Sequence, residues 1–355
     1  IKLKKINPSI EYLCVGGENL KSLGIKSIYD LKDITYLGFT QVLSNLFKIN
    51  RKINQTVEAI IKFNPNILFT VDSPDFTLRV AKKVKSKIPQ IKTIHYIAPQ
   101  VWVWREGRLK KFKKFIDYFL LLFNFEKPYF DKENIKCEFV GHPLLEDQNL
   151  AKIDINQFLP KNKALLSIFP GSRESEINIL MPILINFIKL MANKYKDITY
   201  IFHTTTEHIS LLKSFISKSG LICCEIISDD KIKAHILRKS IFAIAKSGTI
   251  SLEICKAEIP SIIIYKMNFI NFLIVKALVK TKYVNIINIA AKKEIIPELL
   301  QGKCNPDNIY KDVNSFLDNP LKIKHQLKSI KLILGSLETK KPSSELACDF
   351  LNKQL

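Results

Sequence analysis

The sequence predicts an α/β protein with two tandem domains, each an open parallel sheet that is doubly wound by helices. Apolar runs of strand length alternate with longer stretches of helical spacing, the alternation restarts after residue 158, and a polar stretch over residues 146–163 separates the two series. Such alternation is typical of parallel sheets, because a crossover helix must connect each strand to the next. A length of 355 residues is sufficient for two domains of ordinary size.

The apolar runs give the individual elements and the domain boundaries. Helical spacing indicates helices over residues 53–63, 76–84 and 177–184. The predicted strands cover residues 11–15, 67–71, 93–97, 118–123 and 136–140 in the first series, and 164–169, 199–203, 222–227, 242–245 and 261–265 in the second. We therefore assign the first domain to residues 1–150, the second to 151–330, and basic helices that can pack back on the first domain to 331–355.

The composition is that of a globular protein with an anionic partner. Hydrophobic residues make up 47% of the chain, charged residues make up 25%, and the formal net charge is +22. Nucleic acid, a membrane surface and phosphorylated metabolites would all be attracted to such a chain. Arginine-rich segments with interleaved aromatic residues are absent, so nucleic acid is not an expected partner.

The seven cysteines indicate a reducing compartment rather than a metal site or a disulfide framework. They are scattered along the chain, with no C-x-x-C pair and no nearby histidine cluster. The apolar runs are all shorter than the roughly eighteen residues of a membrane-spanning helix. We expect a cytosolic protein that does not cross a membrane and that uses neither a metal nor a cofactor.

A phosphate-binding turn is the most informative segment. The strand over 164–169 runs into Pro170, Gly171, Ser172 and Arg173, and then into a helix that opens with acidic residues. Such a turn presents unpaired amide N–H groups at the positive end of a helix, where an anion is favoured, and a guanidinium suits phosphate oxygens. A plain turn followed by a solvated arginine fits these residues equally well.

Two more strand ends carry polar residues. Asp72 follows a buried strand and is placed to act as a general base for a hydroxyl, although helix capping explains it equally well. The turn Ser247-Gly248-Thr249 can hold a pyrophosphate through amides and hydroxyls, and Glu253 can accept ribose hydroxyls; alone, this turn would indicate only a helix cap. Because parallel sheets bind ligands at the carboxyl ends of their strands, we expect the site in a cleft between the two sheets.

Aromatic and basic residues beyond other strand ends suit contacts with a large or lipidic ligand. The first group follows the strand over 93–97 and can stack on a ligand or pack at a domain edge. The second belongs to an apolar stretch with basic edges, which is either core or a face for acyl chains or a bilayer. The residues are Trp102, Trp104 and Arg105 in the first group, and Phe269, Phe272 and Lys276 in the second.

Taken together, these segments resemble one family, the lipid-A-disaccharide synthases, which are glycosyltransferases with two Rossmann-like domains (the GT-B architecture). The match runs nearly end to end, and its motifs are long and specific. They are VDSPDF at 71–76, HYIAPQVWVWREGR at 95–108, FNFEKPYFDK at 123–132, FVGHPL at 139–144, FPGSRESEI at 169–177, SGTISLE at 247–253, and the stretch from LVKTKYVNIINIA through IIPELLQ at 278–301.

The resemblance implies an inverting transfer of 2,3-diacylglucosamine from UDP-2,3-diacylglucosamine to 2,3-diacylglucosamine 1-phosphate, with release of UDP and without a metal. Asp72 matches the residue that deprotonates the acceptor, and Arg173 with the amides around Ser172 would neutralise the departing UDP. The 247–253 turn and Asn288 match nucleotide contacts of the family. Both substrates are anionic lipids, so the resemblance also implies peripheral association with the inner face of the cytoplasmic membrane. A homodimer is left open.

The chain departs from the family in two places. Family members begin with a strand and a Gly-Glu-Ala-Ser-Gly-type loop, and this chain starts after both. If that absence is real, we expect the first sheet to lack its central strand and the protein to be unstable or inactive; if the sequence is a fragment or starts late, the expected function is unchanged. Lys292 stands where the family usually has glycine, which puts the geometry near Asn288 in doubt.

Two other functions compete with the synthase. The first is another GT-B enzyme that uses a UDP-sugar, either the peptidoglycan N-acetylglucosaminyltransferase or a sugar-nucleotide epimerase; these share the fold but lack the APQVWVW and VKTKYV segments. The second is a basic protein that binds nucleic acid or membrane without catalysis. A pure binder has no need for an acid at a strand end that faces two phosphate turns, so the enzyme is favoured.

Overall fold

The computed structural model describes residues 2–34, 45–101, 103, 106–146, 163–268, 272–273, 275–276, 279 and 281–355. The chain divides into two compact units. The first contains Ile1–Pro143 and Thr339–Leu355, and the second contains Leu144–Glu338. Each unit has its own parallel sheet and its own apolar core.

The first unit is built on a four-stranded sheet whose strands lie in chain order. Its strands are β1 (Ile67–Val71), β2 (Lys92–Tyr96), β3 (Tyr118–Leu121) and β4 (Cys137–Phe139), all parallel. Its helices up to residue 143 are α1 (Lys2–Ile6), α2 (Glu18–Lys21), α3 (Leu46–Phe63), α4 (Pro74–Lys87), α5 (Leu109–Phe112) and α6 (Lys127–Lys132). Short 3-10 helices cover Leu31–Asp33, Glu106–Arg108 and Asn124–Glu126.

The second unit is built on a six-stranded parallel sheet. Its strands are β5 (Ala164–Phe169), β6 (Ile198–His203), β7 (Cys224–Ile227), β8 (Ser240–Lys246), β9 (Ser261–Tyr265) and β10 (Glu298–Leu300), in the order β10-β9-β8-β5-β6-β7. Its helices are α7 (Glu174–Lys194), α8 (Ile209–Ser219), α9 (Asp230–Lys239), α10 (Ile250–Lys256), α11 (Ile286–Ala291), α12 (Pro306–Leu317) and α13 (Pro320–Leu337). Its 3-10 helices are Thr206–His208 and Gln301–Lys303, and another, Pro143–Leu145, lies where the chain passes from the first unit to the second.

The order of strands in the second unit locates its ligand crevice. The chain enters at the central strand β5, moves outward through β6 and β7, and then returns to the other side of β5 with β8. The helices that follow β5 and β8 therefore leave in opposite directions, which opens a crevice at the carboxyl ends of these two strands. In the first unit the described strands step in one direction only, so this reversal is seen in the second unit alone.

Amphipathic helices cover both sheets. Helix α3 buries Ile49, Ile53, Val57 and Ile60 on one stripe and ends at Asn64, whose left-handed backbone (φ 49°) lets its N–H donate to the Ile60 carbonyl. The last helix, α14 (Ser343–Asn352), returns to the first unit. There its buried face packs with apolar residues of β2, β3 and the end of β4.

Helix α7 is the main core helix of the second unit. Its length and mean hydropathy alone would allow it to span a membrane. The sequence does not show this as one apolar run, because charged and amide residues interrupt the helix. Its apolar residues are occupied within the unit, where they form a core with the sheet and with α12. They are Ile177, Leu180, Met181, Leu184, Ile185, Phe187, Ile188 and Met191.

The α/β fold class and most of the elements agree with prediction. Strands 67–71, 164–169 and 261–265 have the predicted bounds, and six others shift by a few residues. The predicted strand over 11–15 is wrong: in that segment the structure has a single parallel bridge from Cys14 to Ser27, because an apolar run forms a strand only when it has a ladder partner. Strand β10 was missed because its three residues include the polar Glu298.

Candidate functional site

A pocket of about 250 Å³ lies within the second unit at the carboxyl ends of its central strands. It collects the turns that follow β5, β6, β7 and β8, as the strand order requires. Of the residues predicted for nucleotide binding, Gly171, Ser172, the turn Ser247-Gly248-Thr249 and Glu253 line this pocket. Residues of the pocket wall that the sequence did not single out include His203, Thr204, Asp229, Asp230 and Lys233.

The turn after β5 is shaped around a carboxylate. Gly171 has φ +119°, and a Cβ atom placed on it would lie 2.6 Å from Glu176 Oε2. Arg173 immediately precedes α7 in extended conformation, and the Ser172 N–H donates to Glu176 Oε2 over 3.3 Å. Only glycine gives this turn both its positive φ and its room for the glutamate side chain.

Glu176 is the anion that this turn holds. Its Oε1 lies 3.0 Å from Lys246 Nζ and 3.5 Å from Arg173 Nη1, in addition to the amide contact at Oε2. An amide and two cations that converge on one carboxylate form an environment that also suits a phosphate oxygen. Arg173 itself is 56% exposed and is not part of the pocket wall, so its guanidinium lies at the edge of the site.

The turn after β8 is fixed by hydrogen bonds from its backbone and side chains. The Ser247 N–H donates to the Ile264 carbonyl over 3.3 Å, and Ser247 Oγ donates to the Val284 carbonyl over 3.0 Å. The Gly248 carbonyl accepts from Ser251 Oγ at 2.8 Å. Among the described residues, Ser247 Oγ, the Ser247 N–H and the Gly248 carbonyl all have partners within the protein, which leaves the N–H groups of Gly248 and Thr249 as the donors of this turn for a ligand.

Glu253 is held at the pocket wall by a lysine. Lys233 Nζ lies 3.0 Å from Glu253 Oε2 and 3.0 Å from Asp230 Oδ1. Burial by itself would lower the pKa of Lys233, but hydrogen bonds to Asp230 and Glu253 outweigh it and raise that pKa. Glu253 keeps its other carboxylate oxygen as an acceptor, which suits a hydroxyl-rich ligand.

Asn288 does not reach the surface of the pocket. It is fully buried, and its Nδ2 donates to the Ile296 carbonyl (2.7 Å) and to Glu298 Oε1 (2.8 Å), while its Oδ1 accepts from the N–H groups of Ile295 (2.7 Å) and Ile296 (2.9 Å). Both donors and both acceptor positions of this amide are used. The predicted contact between Asn288 and UDP therefore has no free atom to carry it in this arrangement.

The hydrogen-bond network around Asn288 stabilises a segment that contacts the turn after β8. Glu298 accepts the N–H groups of Val284 and Asn285 at 2.9 Å each, and burial raises the pKa of Glu298. These bonds fix the segment whose Val284 carbonyl receives Ser247 Oγ. Lys292, which ends α11, has φ +54°, the left-handed region that favours the glycine usual in the family.

We expect Asn288→Ala to lower the free energy of unfolding by about 2 kcal/mol, because it leaves buried N–H groups and the Glu298 carboxylate without their partner. Urea unfolding of the two proteins measures the difference. Asn186→Ala, on the exposed side of α7, is the control and should change stability by less than about 0.5 kcal/mol. An unchanged midpoint for Asn288→Ala would contradict the supporting role of this network.

Asp72 lies in the first unit, at the end of β1. Its backbone is left-handed (φ 50°), as is that of Ser73 (φ 46°), and its N–H donates to the Tyr96 carbonyl over 3.0 Å. Thr77 Oγ1 donates to the Asp72 carbonyl over 2.7 Å, and Asp75 lies in the first turn of α4. Two successive non-glycine residues in this region store strain, and such strain often marks a functional turn.

The predicted lipid-facing residues are only partly covered by the structure. Trp102, Trp104, Arg105 and Phe269 lie outside the described residues. In the apolar stretch that follows β9, Lys276 Nζ lies 6.0 Å from the centre of the Phe272 ring. The neighbours Leu273 and Val275 are 50% and 37% exposed, so this part of the stretch presents apolar surface to solvent.

Metal binding has no evident site in the described part of the chain. No three side chains of His, Cys, Asp or Glu are grouped there so as to hold a metal ion. The polar groups of the pocket are amides, hydroxyls, carboxylates and ammonium groups, which together suit a hydroxyl-rich anion.

Solved structures of sugar-nucleotide enzymes share this fold. The UDP-GlcNAc 2-epimerase from Neisseria meningitidis bound to UDP-GlcNAc has a TM-score of 0.64 over 99% of this chain and 94% of its own, at 14% identity. A glycosyltransferase from Rickettsia africae has a TM-score of 0.55 over 96% and 88%, at 13% identity. At such low identities, the structural similarity establishes the shared α/β fold and nothing about the reaction.

Sequence comparison is more specific. The family model of lipid-A-disaccharide synthetase matches residues 1–348. The lipid-A-disaccharide synthase of Rickettsia prowazekii is 35% identical over 99% of this chain and 93% of its own length, and that of Rickettsia bellii (strain OSU 85-389) is 36% identical over 95% and 89%. The epimerases share only the fold, whereas these relatives share sequence along nearly the whole chain. The chain belongs to the lipid-A-disaccharide synthase family of glycosyltransferases.

Proposed function

We propose that this protein transfers 2,3-diacylglucosamine from UDP-2,3-diacylglucosamine to 2,3-diacylglucosamine 1-phosphate and releases UDP. The observation that carries the proposal is the pocket at the ends of β5 and β8, where two phosphate-type turns flank Glu253. A nucleoside diphosphate needs anion-binding amides beside an acceptor for its ribose hydroxyls, and this pocket offers both. Family membership then selects the lipid A reaction among those that release a nucleoside diphosphate.

The roles of the residues follow from their chemistry. The amide of Gly171, together with the Ser172 amide, Arg173 and Lys246 once these exchange the Glu176 carboxylate for a phosphate oxygen, stabilises the negative charge that grows on UDP as the glycosidic bond breaks. The turn Ser247-Gly248-Thr249 contacts the diphosphate through its backbone. Glu253 accepts hydroxyls of the ribose. Each of these groups binds or neutralises the leaving group.

Asp72 acts as the general base in this proposal. Its carboxylate removes the proton of the acceptor's 6-hydroxyl as that oxygen attacks the anomeric carbon, and the bond to UDP breaks on the opposite face, so configuration inverts. An exposed carboxylate at a strand end suits this work, because a side chain within hydrogen-bond reach of the attacking hydroxyl can accept its proton in the transition state.

Acceptor-dependent UDP release is the test of this function. UDP-2,3-diacylglucosamine is incubated with and without 2,3-diacylglucosamine 1-phosphate, and both UDP and the disaccharide are measured. We expect both products only when the acceptor is present. UDP-N-acetylglucosamine, supplied alone, is the control for an epimerase; its conversion to another sugar nucleotide without acceptor-dependent disaccharide would overturn the proposal.

We also propose that the enzyme works while peripherally bound to the anionic cytoplasmic face of a membrane. Its substrates carry acyl chains, the net charge is +22, and the exposed Leu273 and Val275 lie beside Lys276. Apolar side chains that enter the interface and a cation that remains at the headgroups are the two contributions such binding requires.

Replacing Leu273 and Val275 together by Ser should weaken binding to vesicles that contain anionic lipid by about tenfold or more, because each buried aliphatic side chain contributes about 1.5–3 kcal/mol. Sedimentation with such vesicles measures the change. Leu332→Ser is the matched control, since Leu332 is 69% exposed but lies on α13. Equal binding by wild type and the double variant would mean that another surface makes the contact.

A further inference from the structure

A buried histidine in the pocket wall has one ring nitrogen for which the described residues supply no partner. His203 ends β6, is 4% exposed, and stacks on Phe169 with ring centres 4.4 Å apart and planes 8° apart. Both rings line the pocket. Because β6 is the neighbour of β5 in the sheet, His203 lies about one strand spacing, roughly 5 Å, from the phosphate-type turn.

A chain of hydroxyls determines which nitrogen of His203 carries the proton. Ser240 Oγ donates to the Ile236 carbonyl over 3.0 Å, and a carbonyl can only accept. Ser240 Oγ must therefore accept from Ser167 Oγ, which lies 2.7 Å away. Ser167 has then used its only proton and accepts from His203 Nε2 at 3.0 Å. The donor count makes His203 the Nε2–H tautomer and leaves a lone pair on Nδ1.

No residue in the described part of the chain satisfies that lone pair. His203 Nδ1 is buried without a hydrogen-bond partner, and so is Thr204 Oγ1, on the next residue of the pocket wall. Burial, helped by the charge of Lys233, lowers the pKa of His203 to about 3, so the ring stays neutral and Nδ1 stays an acceptor. A buried acceptor without a partner costs free energy unless a ligand or water supplies a donor.

We propose that His203 Nδ1 accepts a hydrogen bond from an N–H or O–H donor on the nucleoside of the bound nucleotide, and that His203 is thereby a specificity-determining residue. The inference rests on the proposed function, which supplies the nucleotide. Phosphate oxygens carry acceptors and do not suit this position. An imide edge suits it best, because its N–H can donate to His203 Nδ1 and its flanking carbonyl can accept from the hydroxyl of Thr204, the other unpartnered group of this wall. A ribose hydroxyl is the other source of a donor.

Calorimetric binding of nucleotides to wild type and to His203→Phe tests the contact. Phenylalanine keeps the ring stacking and removes Nδ1, and we expect UDP to bind about tenfold more weakly. N3-methyl-UDP should show the same loss on wild type and no further loss on His203→Phe. His325→Phe, on the exposed face of α13, is the control and should bind UDP as wild type does.

The two UDP analogues distinguish a donor on the imide from a donor on the ribose. Together with UDP, they also distinguish failure of the His203 contact from failure of the proposed function. If 2′-deoxy-UDP rather than N3-methyl-UDP shows this coupling, the donor is the ribose hydroxyl and the role of His203 holds. If neither analogue is coupled to His203→Phe while UDP still binds wild type, the role of His203 is wrong and the proposed function survives. If wild type does not bind UDP, both fail.

The protonation state and ¹⁵N resonance of His203 Nδ1 distinguish a ligand contact from a purely structural role, because UDP would not change them in a histidine that only packs. In ¹⁵N-labelled protein we expect the His203 spectrum of a protonated Nε2 and an unprotonated Nδ1, with the Nδ1 resonance shifting when UDP saturates the protein. Ser240→Ala frees the Ser167 proton to donate to Nε2, so Nδ1 should become protonated and UDP affinity should fall although Ser240 is outside the pocket wall. A protonated Nδ1 in wild type, or an Nδ1 resonance that UDP leaves unchanged, would overturn the inference.

Discussion

Replacing Asp72 by Asn should lower kcat by about 10²–10⁴-fold, the usual range for loss of a general base, while UDP binds as tightly as before. Asn keeps the size of the side chain and tolerates the left-handed backbone of this position. The Asp72 N–H and carbonyl keep their contacts with Tyr96 and Thr77, because these involve the backbone. The substitution therefore removes the carboxylate base and keeps the structure of the turn.

Asp75→Asn is the matched control for this experiment. Asp75 belongs to the same exposed turn, carries the same charge and lies 4.0 Å from Arg108, yet it stands in the first turn of α4. We expect it to keep more than about half of the wild-type kcat and to lose at most about 1 kcal/mol of stability as a helix-start acid. Equal turnover by Asp72→Asn and wild type would remove the assigned base, and equal losses in both variants would assign the effect to the charge of the turn.

The sequence predicted the fold well because a parallel sheet strongly restricts which residues its strands can contain. A strand buried on both faces must be an apolar run, so β5 and β9 were located to the residue. The errors lie where tertiary pairing decides the outcome. The run over 11–15 has the composition of a strand but pairs through a single bridge at Cys14, and β10 needed its neighbour β9 to be recognised.

The turns that line the pocket were predicted from the sequence, and the other residues of its wall were not. Gly171, Ser172 and Glu253 follow strands in segments that any parallel sheet would place at its ligand-binding edge, and they line the pocket. His203 was overlooked because it ends β6 as part of an apolar run, although its position at the end of the strand next to β5 was a usable signal. The sequence predicts a contact between Asn288 and UDP, whereas in the structure all four positions of its amide belong to a buried network that the sequence does not reveal.

Replacing Gly171 by Ala should weaken UDP binding by about 100-fold and lower the free energy of unfolding by about 1–3 kcal/mol. The new Cβ would lie 2.6 Å from Glu176 Oε2 and 2.9 Å from Glu176 Cβ, at a φ of +119° that alanine rarely adopts. Relief of this clash must move either Glu176 or the Ser172 amide. Both belong to the group of contacts that we assign to the diphosphate, so calorimetric UDP binding and urea unfolding should change together.

Gly248→Ala is the control for Gly171→Ala. It tests whether the effect comes from the backbone and contacts of Gly171 or from adding a methyl group to any glycine of the pocket turns. Gly248 lies in the other phosphate-type turn, and among the described residues its added Cβ would approach the Lys246 carbonyl alone, at 4.0 Å. We expect its stability to stay within about 0.5 kcal/mol of wild type. The double variant Gly171→Ala with Glu176→Ala removes the contact at Oε2 but keeps the contact at Cβ and the backbone strain. Because only part of the cause is relieved, Gly171→Ala should cost less stability in the Glu176→Ala background than in wild type, but should still cost some. Wild-type UDP affinity in Gly171→Ala would contradict the assignment of this turn to the diphosphate.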